Sequence, residues 1–239
     1  MRYPFDVPAV RAFVPIRVNS RVLCFVGENG SGKSTVLEAL AIACGFGAEG
    51  GTRNFRFSTT RGSSDGEEPD TAVERLADVL QLRWTKRQSD GFFLRAESFF
   101  NVATYLDRLA REPGVGASAL APYGGKSLHT RSHGESFLTL FLERFSGGGL
   151  YLLDEPEAAL SPARQLALLA RMHDLLEHAD GTQFVLATHS PILLGFPGAQ
   201  IVSFDGGMHN IPYTQTDAYV ITRRFLENRD RVFKELFED

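Results

Sequence analysis

The chain has 239 residues, 43% of them hydrophobic and 23% charged, and a formal net charge of −4 from 25 basic and 29 acidic residues. That length holds one large or two small domains and buries enough surface to fold without disulfide staples. The acidic balance is unlike the basic footprint of a nucleic-acid domain, and no apolar run approaches the roughly 18 residues of a membrane span.

The N-terminus, MRYPFDVPAVRAF, lacks the apolar centre of a secretory signal, so a cytoplasmic location is expected. Residues 22–26 (VLCFV) are a continuous apolar run and predict a buried strand. Cys24 lies in that run; with Cys44 it makes too few cysteines for a disulfide framework, and both are expected to be small buried apolar side chains. A glycine-rich turn over 27–32 leads to a helix over 33–44, with Val36, Leu37, Leu40 and Ala41 on one face and Gly45 just past its end. Residues 47–70 predict a loop or flap, and 71–82 a helix spaced by Val73, Leu76, Ala77 and Leu80. Residues 99–110 predict a further helix, 113–134 loops, and 135–145 a helix. Gly147, Gly148 and Gly149 then break the chain before a second strand over 150–153. Ser161 supplies a capping hydroxyl and Pro162 a first helical position, for a helix to about Ala179 with Gly181 beyond it. Strands follow over 184–188 and 201–204, and the tail from about 216 is charged and amphipathic.

This alternation predicts an α/β fold, a P-loop type with a mainly parallel sheet flanked by helices. A mostly helical lobe over about 59–145 interrupts it. The expected organisation is a single domain: a nucleotide-binding core of about 1–58 and 146–215, the lobe, and a C-terminal tail of about 216–239.

Gly27-Glu28-Asn29-Gly30-Ser31-Gly32-Lys33-Ser34 fits G-x-x-x-x-G-K-[ST] between a predicted strand and a predicted helix. Glycines let backbone N–H groups turn inward around a phosphate, and the helix start adds positive charge. The backbone of Glu28, Asn29, Gly30, Ser31, Gly32, Lys33, Ser34 and Thr35 is expected to cradle the phosphates. Lys33 would reach the β- and γ-phosphates, and the Ser34 hydroxyl would ligate Mg²⁺. The strand Leu150-Tyr151-Leu152-Leu153 ends in Asp154 and Glu155. In a P-loop fold the strand beside the phosphate loop delivers such an aspartate to the Mg²⁺ shell, and Glu155 would orient or deprotonate water. His189 follows another apolar strand, so parallel strands would bring it to the same sheet edge as Asp154, as a γ-phosphate contact. Ser132-His133-Gly134-Glu135-Ser136 precedes a helix. Its small residues would admit a phosphate, and Ser132 with Glu135 equally fits a capping box.

In this order the motifs resemble the ABC-type ATPase heads, and most nearly the small stand-alone ATPases beside the RecF/SMC-like and OLD-like heads. Gly27–Ser34 looks like their Walker A, and Asp154 with Glu155 like the Walker B aspartate and catalytic glutamate. Ser132–Ser136 looks like a divergent signature, Ala158-Ala159-Leu160-Ser161 like the D-loop and His189 like the switch histidine. The resemblance implies an ATP-dependent head-to-tail homodimer with each ATP between two subunits, Ser132 and Gly134 acting on the partner's nucleotide. It also implies ATP rather than GTP. Ser161 departs from the family's D-loop aspartate, Phe137-Leu138-Thr139-Leu140 lacks the Gln-Arg-rich sequence of transporter subunits, and the Q-loop glutamine has no clear counterpart. Residues 94–98 occupy its place, with Glu97 either a ligand of the metal or its water or an ordinary surface acid. Tyr3, Phe5 or Phe13 would stack on the base.

Arg53 and Arg56 read as a solvated basic loop, with phosphate contact as the alternative, and Arg83, Lys86 and Arg87 around Trp84 as an exposed face or a nucleic-acid surface. The expected function is a Mg²⁺-dependent ATP hydrolase whose dimerisation switches a protein or nucleic-acid partner. The alternatives are a transporter's ATPase subunit and a nucleotide-gated binding module with little turnover.

Overall fold

A computed structural model describes residues 3–11, 13–48, 50–53, 72–97, 133–237 and, between these blocks, 99, 104, 107, 108, 110, 111 and 121. Most of the expected flap over 47–70, of the helix over 99–110 and of the loops over 113–134 lies outside the described residues.

The helices are α1 (Pro8–Arg11), α2 (Lys33–Ala43), α3 (Ala72–Val79), α4 (His133–Arg144), α5 (Pro162–His178), α6 (Pro191–Leu194), α7 (Asp217–Glu227) and α8 (Arg229–Phe237). The strands are β1 (Val22–Val26), β2 (Gly91–Arg95), β3 (Leu150–Asp154), β4 (Gln183–Ala187), β5 (Gln200–Ser203) and β6 (His209–Asn210). They form one sheet in the order β2-β3-β4-β1-β5-β6, parallel except for β6. The expected α/β architecture with a mainly parallel sheet between helices is therefore present.

Strand β1 is apolar throughout, and β2, β3 and β4 carry polar residues only at their ends, because both faces of the sheet are covered there. Along β1, Val22, Cys24 and Val26 face one side while Leu23 and Phe25 face the other. The same alternation runs through Tyr151 and Leu153 against Leu150 and Leu152 in β3, and through Phe184 and Leu186 against Val185 and Ala187 in β4. Phe137, Leu140 and Phe141 of α4 and Phe145 just past its end, with Leu168, Met172, Leu175 and Leu176 of α5, close the first face. Val36, Leu37 and Ala41 of α2 close the second, and Ala39 turns outward onto Val73, Leu76 and Ala77 of α3.

Helix α2 stops where Gly45 takes a left-handed φ of 93°, a conformation that costs a side-chain-bearing residue energy. Helix α5 begins at Pro162 as expected, but the Ser161 hydroxyl makes no capping hydrogen bond, so the proline alone marks the start. The tail folds as two helices, α7 and α8, neither of which has a fully buried residue.

Two strands were not expected. Strand β2 runs parallel to β3 in the register Gly91↔Leu150 to Arg95↔Asp154 and so draws part of the segment read as helical into the sheet. Strand β6 is a two-residue antiparallel edge on β5. Residues 83–87, around Trp84, lie in irregular exposed chain rather than on a strand or helix face. Arg53 is not solvated as expected: its guanidinium donates to the Gln88 carbonyl and lies 5.1 Å from the Phe46 ring centroid. Arg56 lies outside the described residues. Cys24 and Cys44 are fully buried, as expected, and burial pushes their thiols up to about 12 and about 11. Among the described residues no helix is long and apolar enough to cross a membrane.

Candidate nucleotide and metal site

Parallel strands end on a common edge, and that edge assembles the site. The register pairs Arg95 with Asp154, Asp154 with Ala187, and Ala187 with Phe25. The chain leaving β1 is thus the glycine-rich loop, that leaving β3 is Glu155, that leaving β4 carries His189, and that leaving β5 carries Asp205. The expectation that Asp154 sits on the strand next to the loop is corrected: β4 lies between β1 and β3.

The loop is held open from within. Gly27 has φ 147°, and a Cβ there would come within 2.9 Å of Ser31 Oγ and 3.1 Å of Asp205 Oδ1. The Ser31 amide donates to the Glu28 carbonyl at 3.1 Å, and Asp205 Oδ1 accepts the Glu28 amide at 2.9 Å. Gly30 has φ 79°, and Gly32, at the helix start, has φ 102°. The Ser31 hydroxyl is buried with no hydrogen-bond partner among the described residues. Lys33 is buried, and its ammonium folds back onto the carbonyls of Gly27 at 2.7 Å and Glu28 at 3.0 Å. Burial pulls its pKa down, while Glu155, Asp205, Asp154 and Glu28 pull it up.

Ser34 Oγ donates to Asp154 Oδ1 at 2.9 Å, across 120 positions of sequence. Burial raises the Asp154 carboxyl to about 6, against the Ser34 hydrogen bond and the nearby Arg95, which lower it. Arg95 Nε stands 3.5 Å from Asp154 Oδ2, and its guanidinium also reaches Glu38 at 3.1 Å and Glu97 at 3.7 Å. Glu97 is 85% exposed and lies in this ion pair rather than on Asp154. Among the described residues no three His, Cys, Asp or Glu cluster as a metal cage. A hydroxyl and one carboxylate nevertheless suit Mg²⁺, which keeps several waters and takes its other oxygens from phosphates.

Glu155 has φ 48° and is the one non-glycine residue with positive φ among the described residues. Such a conformation costs on the order of 1–3 kcal/mol and persists only where the surroundings impose it. Here the Glu155 amide donates to the Ala187 carbonyl at 2.9 Å, and its carbonyl accepts the Ala158 amide at 3.0 Å. The carboxylate is left 4.0 Å from His189 Nε2, with both side chains about 40% exposed.

Tyr3 donates to or accepts from Thr35 Oγ1 at 3.3 Å, whereas Phe5 packs toward α2 and α3 and Phe13 is exposed. Gly134 is buried, and a Cβ on it would lie 2.9 Å from the Ala159 carbonyl and would meet the Arg164 guanidinium. Ser132 lies outside the described residues. Sequence reasoning missed Arg95, Glu157 and Asp205. Arg95 and Asp205 are polar residues at strand ends, a signal the topology makes meaningful. Glu157 had no signal beyond its place two residues after Glu155.

Two stretches match family models: residues 9–99 one described as "AAA domain", and residues 136–195 one described as "AAA domain, putative AbiEii toxin, Type IV TA system". No curated protein sequence matches the chain. Among solved structures, the chain is 16% identical to one described as a "putative Cobalt transport ATP-binding protein", covering 84% of this chain and 72% of that one, with a TM-score of 0.41. It is likewise 16% identical to the SMC head domain from Thermotoga maritima, covering 81% of this chain and 90% of that one, with a TM-score of 0.40. The phosphate loop and the strand-end carboxylates thus stand on one edge of a mainly parallel α/β sheet, and the stretches that carry them fall within or beside the two AAA-domain matches.

Proposed function

We propose that the chain is a Mg²⁺-dependent ATP hydrolase that closes into an ATP-sandwiched head-to-tail homodimer and thereby switches a protein or nucleic-acid partner. The observation that carries the hydrolase reading is the 2.9 Å bond from Ser34 to Asp154, which brings the phosphate-loop helix and the acidic strand end to one point. The residues fit the ligand: a hydroxyl–carboxylate pair for the metal, a buried ammonium for the phosphates, and an unpartnered Ser31 hydroxyl within the loop.

When bound, Mg²⁺ supplies positive charge to the β- and γ-phosphoryl oxygens. Ser34 and Asp154 hold the metal. Lys33 exchanges the carbonyls of Gly27 and Glu28 for phosphate oxygens, a trade of neutral acceptors for charged ones. The amides of residues 28–35 bind the remaining phosphate oxygens. Glu155 accepts the proton of the attacking water at its carboxylate, and His189, beside it, donates to the terminal phosphate. Tyr3, next to Thr35, is the favoured aromatic for the base. Gly134 and Ser132 serve the partner's nucleotide, as the family resemblance implies.

Steady-state ATP hydrolysis with Mg²⁺ or with EDTA tests the reading. Wild type is expected to turn over only with Mg²⁺, Glu155→Gln to bind ATP yet lose about 10²-fold or more in kcat, and Lys33→Ala to lose binding. A wild-type chain that neither binds nor hydrolyses ATP sinks it.

A further inference from the structure

The loop leaving β4 poses a positioning problem. His189 is exposed, while its neighbours Thr188 and Ser190 are buried. An exposed ring is not held by packing, so its place depends on how the backbone beneath it is fixed.

Glu157 fixes that backbone. Its Oε1 accepts the His189 amide at 2.6 Å and its Oε2 accepts the Thr188 hydroxyl at 2.7 Å. One side chain thus takes donors from two successive residues. This needs two acceptor oxygens and is favoured by a full negative charge, so a carboxylate serves where an amide or hydroxyl would not. On the far side of the loop, Ser190 Oγ donates to Gln165 Oε1 at 2.5 Å and accepts the amides of Ile192 and Leu193. Gln165 Nε2 in turn donates to the Leu160 carbonyl at 2.9 Å, and the Ser190 amide donates back to Thr188 Oγ1 at 3.0 Å. Both anchors, Glu157 and Gln165, lie in the stretch that follows Glu155. Glu155 itself is tied to the end of β4 through its amide and the Ala187 carbonyl.

We infer that Glu157 is a positioning residue that sets the His189 imidazole beside Glu155, and that the 155–160 turn and the 188–190 loop move as one unit during turnover. The kinetic part rests on the ATPase reading above; the mechanical part does not. Linked through Glu157 by two short hydrogen bonds to a charged acceptor, and through Gln165 by buried ones, neither segment can shift without breaking polar contacts.

A double-mutant cycle on the full chain, with amide hydrogen exchange beside it, tests the inference. Glu157→Ala is expected to lower kcat at least about tenfold while the affinity for a fluorescent ATP analogue stays within about twofold. Added to His189→Ala, the same change is expected to cost less than about twofold more, because the two residues act as one. In the nucleotide-free chain, Glu157→Ala is expected to speed exchange of the 189 and 190 amides at least about tenfold, with the β1 and β3 amides still protected. Glu157→Gln keeps one good acceptor and is expected to fall between. If Glu157→Ala does not fold, Thr188→Val removes one of the two donors at nearly constant volume; because it also removes the acceptor of the Ser190 amide, only the 189 amide is read in the exchange arm, with a smaller effect in the same direction. Fully additive losses of kcat, or unchanged exchange at 189 and 190, overturn the inference. Absence of turnover in wild type overturns the ATPase reading instead, and the exchange arm then decides the hold of Glu157 on the loop.

Discussion

Asp154 carries a cost that its proposed role explains. Its carboxyl is almost wholly buried and its pKa is raised, by burial first, to about 6. A carboxyl with a folded value above its unfolded one favours the folded state when protonated. Its contribution to stability is therefore full at acidic pH and is lost as pH rises through about 6. Without metal or nucleotide, wild type is expected to gain about 1 kcal/mol relative to Asp154→Asn on going from pH 7 to pH 5. Denaturant midpoints of both proteins at the two pH values measure this, and parallel shifts would contradict it. Arg95 meets the same carboxylate from β2 and offsets part of the cost with its positive charge. The left-handed backbone of Glu155 is a second local cost, placed directly after the residue that bonds Ser34.

At the scale of elements, helix α4 shows how a sequence period becomes a core. Phe137 and Phe141 of α4 and Phe145 just past its end recur every four residues and are all fully buried. Ring centroids run from Phe137 to Phe141 at 5.4 Å, to Phe145 at 4.3 Å, to Tyr151 of β3 at 4.2 Å and to Phe184 of β4 at 5.2 Å. The ladder ties α4 to the strand that carries Asp154. Phe145→Ala is expected to cost about 3–5 kcal/mol, because it opens a cavity among the four rings of Phe92, Phe141, Tyr151 and Phe184. Urea unfolding reads this directly, and a loss below about 1 kcal/mol would mean that the site collapses around the gap. The helix period was legible in the sequence. Strand β2 was not, because GFFLR is five residues long and a short apolar run alone does not distinguish strand from helix. Its pairing with β3 settles the matter, and that pairing joins residues about 60 positions apart.

For the whole molecule, the proposed closure of two heads is a statement about mass. Glu155→Gln with Mg²⁺ and ATP is expected to double its molar mass in light scattering, while wild type under turnover stays largely monomeric. Removing the base blocks the step that opens the dimer, and a ligand bound between subunits favours the associated state by mass action. A variant that binds ATP and remains monomeric would mean that another chain completes the site.

That the phosphate loop, the pair Asp154 and Glu155, and His189 share one sheet edge was legible in the sequence, because each follows an apolar run that reads as a parallel strand. The strands β1, β3, β4 and β5 were legible for a similar reason: burial on both faces demands unbroken apolar runs. Tertiary structure alone decided that β4 separates β1 from β3, that Arg95 and Asp205 stand at the site, and that Glu157 holds the His189 loop. Strand order is set by how helices pack on both faces of a sheet. The hydrogen bonds of Glu157 span 31 and 32 positions of sequence, a separation at which no local pattern records which donor an acid will meet.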